Sequence, residues 1–338
     1  MKKFIFILIS FFLITGCKKN DINSVIKHFS DDVTSSDSYS LKGKMTIKSD
    51  EEEFNYTFDV KYLKDDNYKV SLVNSSNNHE QIILKNSDAV YVITPSLNKS
   101  FKFQSSWPNN SSQSYLLASL LKDINNDNKS KLVTNNNGSI ISTKVNYPNN
   151  SELIRQDIIF DKKMNIKSVT VYDQDNNERI RTEFIKVDLK ANNSLDDFKL
   201  DQYIKEPIEN KCEGDKCSKT TANILDDIIY PLYLPNNTYL TSSEKIGENA
   251  SRVILTFAGD KSFTIVEEAS FVPKNFEIKP VFGNPVLLND TFGVISDNSV
   301  RWTRGNVDYY LTSNNLSNKE MVVIASSMNH SISVLGSK

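Results

Sequence analysis

Nucleophilic catalysis needs a nucleophile, a base and a group that orients the base. Side chains that could fill these roles are sparse in this chain: cysteines at 17, 212 and 217, and histidines His28, His79 and His330. No histidine lies near a cysteine in sequence, so the ligand spacing of a zinc site is missing. There is no Gly-x-Ser-x-Gly elbow, no His-Glu-x-x-His and no glycine loop for a phosphate. The aspartate pairs at 31–32, 196–197 and 226–227 fall at helix ends or in loops, where carboxylates cap or stay solvated. The expectation is a protein that is not an enzyme and uses no cofactor and no metal. A cell-wall hydrolase lacking a recognisable motif is the weakest alternative.

Cys17 is different. Lys2 and Lys3 precede an apolar run from Phe4 to Ile14, which ends in Ile14-Thr15-Gly16-Cys17 and is followed by Lys18 and Lys19. A charged start, a short apolar stretch and a small-residue site read as a secretion signal over residues 1–16, since a membrane-crossing helix needs roughly 20 apolar residues. Ile-Thr-Gly-Cys resembles a bacterial lipobox, which implies cleavage before Cys17 and acylation of a thiol nucleophilic enough to take a lipid. A plain secretory signal with an incidental cysteine is the alternative. At about 0.8 kcal/mol per buried CH2, two or three acyl chains hold a protein on a membrane. The expected location is the extracytoplasmic face of the cell membrane, lipid-anchored. In that oxidising compartment Cys212 and Cys217, across CEGDKC, form an even pair and read as a disulfide.

The elements that follow are mostly strands. Asp21 to Val33 spaces Ile22, Val25, Ile26 and Phe29 as a first amphipathic helix. In EFNYTFDVKY, Phe54, Tyr56, Phe58, Val60 and Tyr62 alternate with polar neighbours, giving one aromatic face and one wet face. Similar patterns recur from Ser40 to Leu189, separated by Asn- and Asp-rich turns, and predict an antiparallel meander. SQSYLLASLLKDI, residues 112–124, interrupts it as a helix carrying Tyr115, Leu116 and Leu120, expected against the concave side of the sheet. Residues 206–222 are polar and carry the cysteine pair, so they read as a linker between a domain at 17–205 and another at 223–338. The second half is expected to hold a helix near 221–230, a loop-rich stretch through Pro273, Pro280 and Pro285, several strands, and a final helix from Leu316. Ser317 and Glu320 form a capping box at its start.

Phe54, Tyr56, Phe58, Val60, Tyr62, Tyr115, Leu116 and Leu120 therefore converge on one concave surface. They either pack together as core or line an apolar groove for an acyl chain or a partner's hydrophobic segment. Both readings hold if they apply at different depths of one groove.

A helix, about ten meandering strands and an inserted helix in an extracytoplasmic lipoprotein resemble the LolA/RseB-like superfamily of bacterial lipoprotein carriers and sigma-factor regulators. The likeness covers about residues 21–205. Trp107-Pro108 ahead of SQSYLLASLLKDI, and VRWTRGNVDYYLTSNNLSNKEMVVIASSM near the end, resemble lipoproteins of spore-forming Gram-positive bacteria whose C-terminal domain is of the DUF4367 type. The resemblance implies a mainly β, α+β fold: an incomplete antiparallel β-barrel covered by helices, then a smaller α+β domain. It also implies a non-catalytic role in sporulation, germination or envelope maintenance, with an envelope protein or peptidoglycan enzyme as partner. Local carriage of lipid or lipoprotein acyl chains is the second reading. The net charge of −2, with acids and bases interspersed, argues against nucleic acid.

Overall fold

The computed structural model describes residues 21–49, 52–204, 225, 227–247 and 251–328. Residues 1–16, Cys17 and the pair Cys212 and Cys217 lie outside the described residues.

Helix α1 (Ile22–Thr34) starts at Asp21, whose carboxylate accepts the Ser24 N–H at 2.7 Å, and buries Val25, Phe29 and Val33 four residues apart. Six strands follow: β1 (Ser38–Lys48), β2 (Glu53–Leu63), β3 (Asn67–Asn74), β4 (Glu80–Lys85), β5 (Val90–Thr94) and β6 (Lys99–Phe103). Helix α2 (Leu117–Asn126) leads into β7 (Lys131–Asn135), β8 (Gly138–Lys144), β9 (Leu153–Asp161), β10 (Ile166–Asp173) and β11 (Glu178–Asp188). Strand β2 shows why these segments pair. Tyr56, Phe58 and Val60 are buried while Asn55 and Thr57 face solvent, a period of two that only a strand satisfies.

The second half comprises β12 (Thr238–Ile246), β13 (Arg252–Gly259), β14 (Phe263–Ala269), β15 (Glu277–Val281), β16 (Asn284–Leu288), β17 (Thr291–Ser296), β18 (Ser299–Arg304), β19 (Val307–Thr312) and α3 (Asn318–Ser326). Seven of these strands form one sheet in the order β12-β13-β14-β19-β18-β17-β16, with α3 capped by Ser317 and Glu320 as expected. The first sheet has twelve strands, β15-β6-β5-β4-β3-β2-β1-β11-β10-β9-β8-β7, and is not closed into a barrel. The fold is thus mainly β: an open antiparallel half-barrel wrapped around helices, then a smaller α+β body.

Three segments depart from the sequence-based expectation. The helix predicted over residues 112–124 begins only at Leu117, because Ser112 is tied to the chain after β8. Its N–H donates to the Asn146 carbonyl and its hydroxyl accepts the Asn146 N–H, both at 2.7 Å. Of the helix expected at 221–230, Leu225 and residues 227–230 are not helical, and the Ile229 N–H donates instead to the Glu267 carboxylate at 3.1 Å. Within the stretch read as loop around Pro280, β15 crosses to the half-barrel and pairs in parallel with β6, joining the two halves through one sheet.

Candidate functional site

The eight concave residues singled out by sequence come together on β2 and around α2. Val60, Leu116 and Leu120 are fully buried, Tyr56, Phe58 and Tyr115 nearly so, and Phe54 and Tyr62 pack half-buried against the same core. The Tyr62 ring stacks on Tyr39 at 4.5 Å between centroids, and Phe58 meets Phe184 edge-on at 5.7 Å. Gly43 makes this packing possible. A Cβ there would lie 2.5 Å from the Phe58 ring and 2.0 Å from the Glu183 carbonyl, at the bulge where β1 and β11 shift register.

Beside this filled region, a cleft of about 990 Å³ opens between the half-barrel and the C-terminal body. Of the eight, Tyr115 lines it. Its floor is apolar, with Met45 and Ile47 from β1, Leu153 from β9 and Ile180 from β11. The facing wall is Val286 and Leu287 of β16, Phe292 of β17, and Val322 and Val323 of α3. Residue pattern alone left this wall unseen, since it needs the two bodies docked. A signal was present in EMVVIA: Met321, Val322, Ile324 and Ala325 are buried, which leaves Val323 half-exposed toward the cleft.

The rim is polar and mostly neutral. The Asn284 side-chain oxygen accepts from the Ser105 hydroxyl at 2.7 Å and from the Asn110 amide at 2.8 Å, fastening the two walls together. Across the mouth, Lys319 of α3 and Glu152 ahead of β9 form an ion pair at 2.9 Å. Burial pushes the Tyr115 phenol far above its usual range, so it stays neutral, and its hydroxyl donates to Gln113 at 2.7 Å. On the rim the Asp173 carboxyl works against burial, which would raise its pKa. The Asn177 N–H and the Arg179 guanidinium outweigh that and hold it below the ordinary carboxylate value. The arrangement can take up apolar surface and ring it with amides and paired charges. Among the described residues, no cluster of three or more His, Cys, Asp or Glu could hold a metal, and no helix is long and apolar enough to cross a membrane.

Comparison with known proteins fixes the family. The sequence profile of the family described as "Sporulation protein YdcC-like" matches residues 1–199. The "Sporulation protein YdcC" of Bacillus subtilis (strain 168) is 35% identical over 323 residues, covering 95% of this chain and 94% of that protein. Among solved structures, the chain is similar to the Pseudomonas aeruginosa MucA/MucB complex at 11% identity and TM-score 0.32, covering 89% of this chain and 97% of that one. It is also similar to a structure of the Clostridioides difficile CwlD amidase in complex with the GerS lipoprotein, at 16% identity and TM-score 0.30, covering 50% and 96%. A LolA superfamily protein from Nitrosomonas europaea matches at 10% identity and TM-score 0.32, covering 53% and 98%. On the strength of the profile and the Bacillus relative, the chain belongs to the YdcC-like family of sporulation proteins.

Proposed function

We propose that this chain is a non-catalytic lipoprotein, held on the extracytoplasmic face of the cell membrane by acylated Cys17. Its cleft receives an apolar segment of an envelope protein, such as a peptidoglycan enzyme, during sporulation or germination. On this reading Cys212 and Cys217 form a disulfide in the segment between the two bodies, and the second body is of the DUF4367 type. The observation that carries the reading is the cleft itself, with a wide apolar floor, a polar rim and walls drawn from both halves of the chain. A site of this size and character suits a binding protein.

A photo-crosslinking amino acid at Val323, in the cleft, tests it against the same label at Val133, which is exposed on β7. In sporulating cells the Val323 label captures a discrete partner and the Val133 label does not. Identical capture from both positions, or from neither, refutes the cleft as the binding site. The anchor is tested separately, because Cys17→Ala moves the protein from the detergent phase to the aqueous phase. The contiguous floor of Met45, Ile47, Leu153 and Ile180 favours one second reading, an acyl chain as occupant. Native mass spectrometry separates the two: a co-purifying acyl species supports the carrier, an empty cleft the protein partner.

A further inference from the structure

Strand β16 ends its sheet, and among the described residues it pairs with β17 alone. Neighbours along a strand point to opposite faces, and here Val286 packs into the C-terminal core while Leu287 packs against the core of the half-barrel. Yet Asn284, Pro285, Val286 and Leu287 all line the cleft. A strand that borders one cavity with both its faces turns its edge into it.

The register selects the backbone groups on that edge. Leu287 lies opposite Phe292, whose N–H goes to Gln81 at 2.6 Å, so these two do not exchange the bonds of a hydrogen-bonded pair. Alternation then aims the N–H and C=O of Leu287, and the C=O of Pro285, at the open edge. Pro285 falls where the strand needs no N–H for its own ladder. Around this edge Asn149, Asn150, Asn289 and Asn318 line the cleft, and their carboxamides have no hydrogen-bond partner among the described residues. The charges of the lining cancel, with Lys48, Arg179 and Lys319 against Glu52, Glu152 and Asp173.

We infer that the cleft, if it is the binding site proposed above, takes an extended, uncharged and apolar stretch of a partner protein, added as a further strand to the edge of β16. Such a strand meets Leu287 with one N–H and one C=O and gives a second N–H to Pro285. Its side chains alternate between the apolar floor and the α3 wall. An acyl chain uses none of these backbone groups, and a segment of net charge finds no countercharge.

Leu287→Pro deletes the edge N–H, whereas Leu287→Ala deletes the same side chain and keeps the N–H. Each is combined with the photo-crosslinking label at Val323 in the full chain, in sporulating cells. Partner capture falls about tenfold further with proline than with alanine, as the loss of one hydrogen bond requires. Equal capture by the two variants overturns strand addition and leaves the cleft as a binding site. No capture by the chain carrying the label alone refutes the cleft reading and strand addition with it. An acyl species retained equally by both purified variants assigns the cleft to lipid and likewise overturns strand addition. Residue-resolved hydrogen exchange on the chain carrying only the label tests the edge without a variant at Leu287. In the free chain the Leu287 amide exchanges faster than those of Val286 and Leu288, and it slows in the crosslinked complex. An amide already protected in the free chain, or equally fast in the complex, overturns the added strand.

Discussion

Two single residues carry testable weight, one through charge and one through space. Glu267 is fully buried in the C-terminal sheet, with one carboxylate oxygen accepting from Ile229 and the other without a partner among the described residues. Burial pushes its pKa from 4.5 up to about 7, and burial likewise raises Asp123, on the buried face of α2, from 3.8 to about 6. A carboxyl raised on folding binds its proton more tightly in the native state. Its contribution is complete below the unfolded value and is lost as pH climbs to the folded one. Stability should therefore fall between pH 4.5 and 7 on account of Glu267, and Glu267→Gln should remove about 3 kcal/mol of that dependence. Urea titrations at pH 5 and pH 8 check it, and parallel curves for wild type and variant would contradict it. Gly43 is the spatial case. Gly43→Ala forces a methyl into the Glu183 carbonyl and the Phe58 ring and should cost about 1 to 3 kcal/mol, readable as a lowered melting temperature.

At the scale of elements, the sequence made local order legible and left non-local order hidden. Strand β2 was readable because alternation is a property of neighbouring residues, and α3 because Ser317 and Glu320 announce its start. Ser317→Ala removes the cap accepting the Glu320 N–H and should cost about 1 kcal/mol, measurable as a lower midpoint in chemical unfolding. Strand β15 was illegible because Pro280 signals a loop, and its pairing with β6 spans more than 170 positions of chain. The helix expected at 112–124 lost its first turn to the hydrogen bonds that Ser112 exchanges with Asn146, a partner no local pattern reveals. The cleft suffered the same way: its floor lies on strands readable from sequence, but its facing wall exists only once β16 and α3 dock.

At the scale of the whole molecule, the two bodies behave as one packed unit. Phe292 and Val294 of the second sheet belong to the core of the first, and the Tyr56 hydroxyl donates to the Asn289 carbonyl at 2.5 Å. Gln81 of β4 is buried between them, its side-chain oxygen accepting the Phe292 N–H at 2.6 Å and the Thr291 hydroxyl at 3.3 Å. Gln81→Leu keeps the bulk but strands that N–H in a dry interface, at a cost of about 1 to 3 kcal/mol. Trp107 lies in the half-barrel and Trp302 in the C-terminal body, both buried, so chains retaining one or the other report each body by fluorescence. If docking is integral to the fold, Gln81→Leu lowers the urea midpoint by the same amount at both reporters. A shift at one tryptophan alone would mean that the bodies unfold separately, and that the cleft between them can open without disturbing either core.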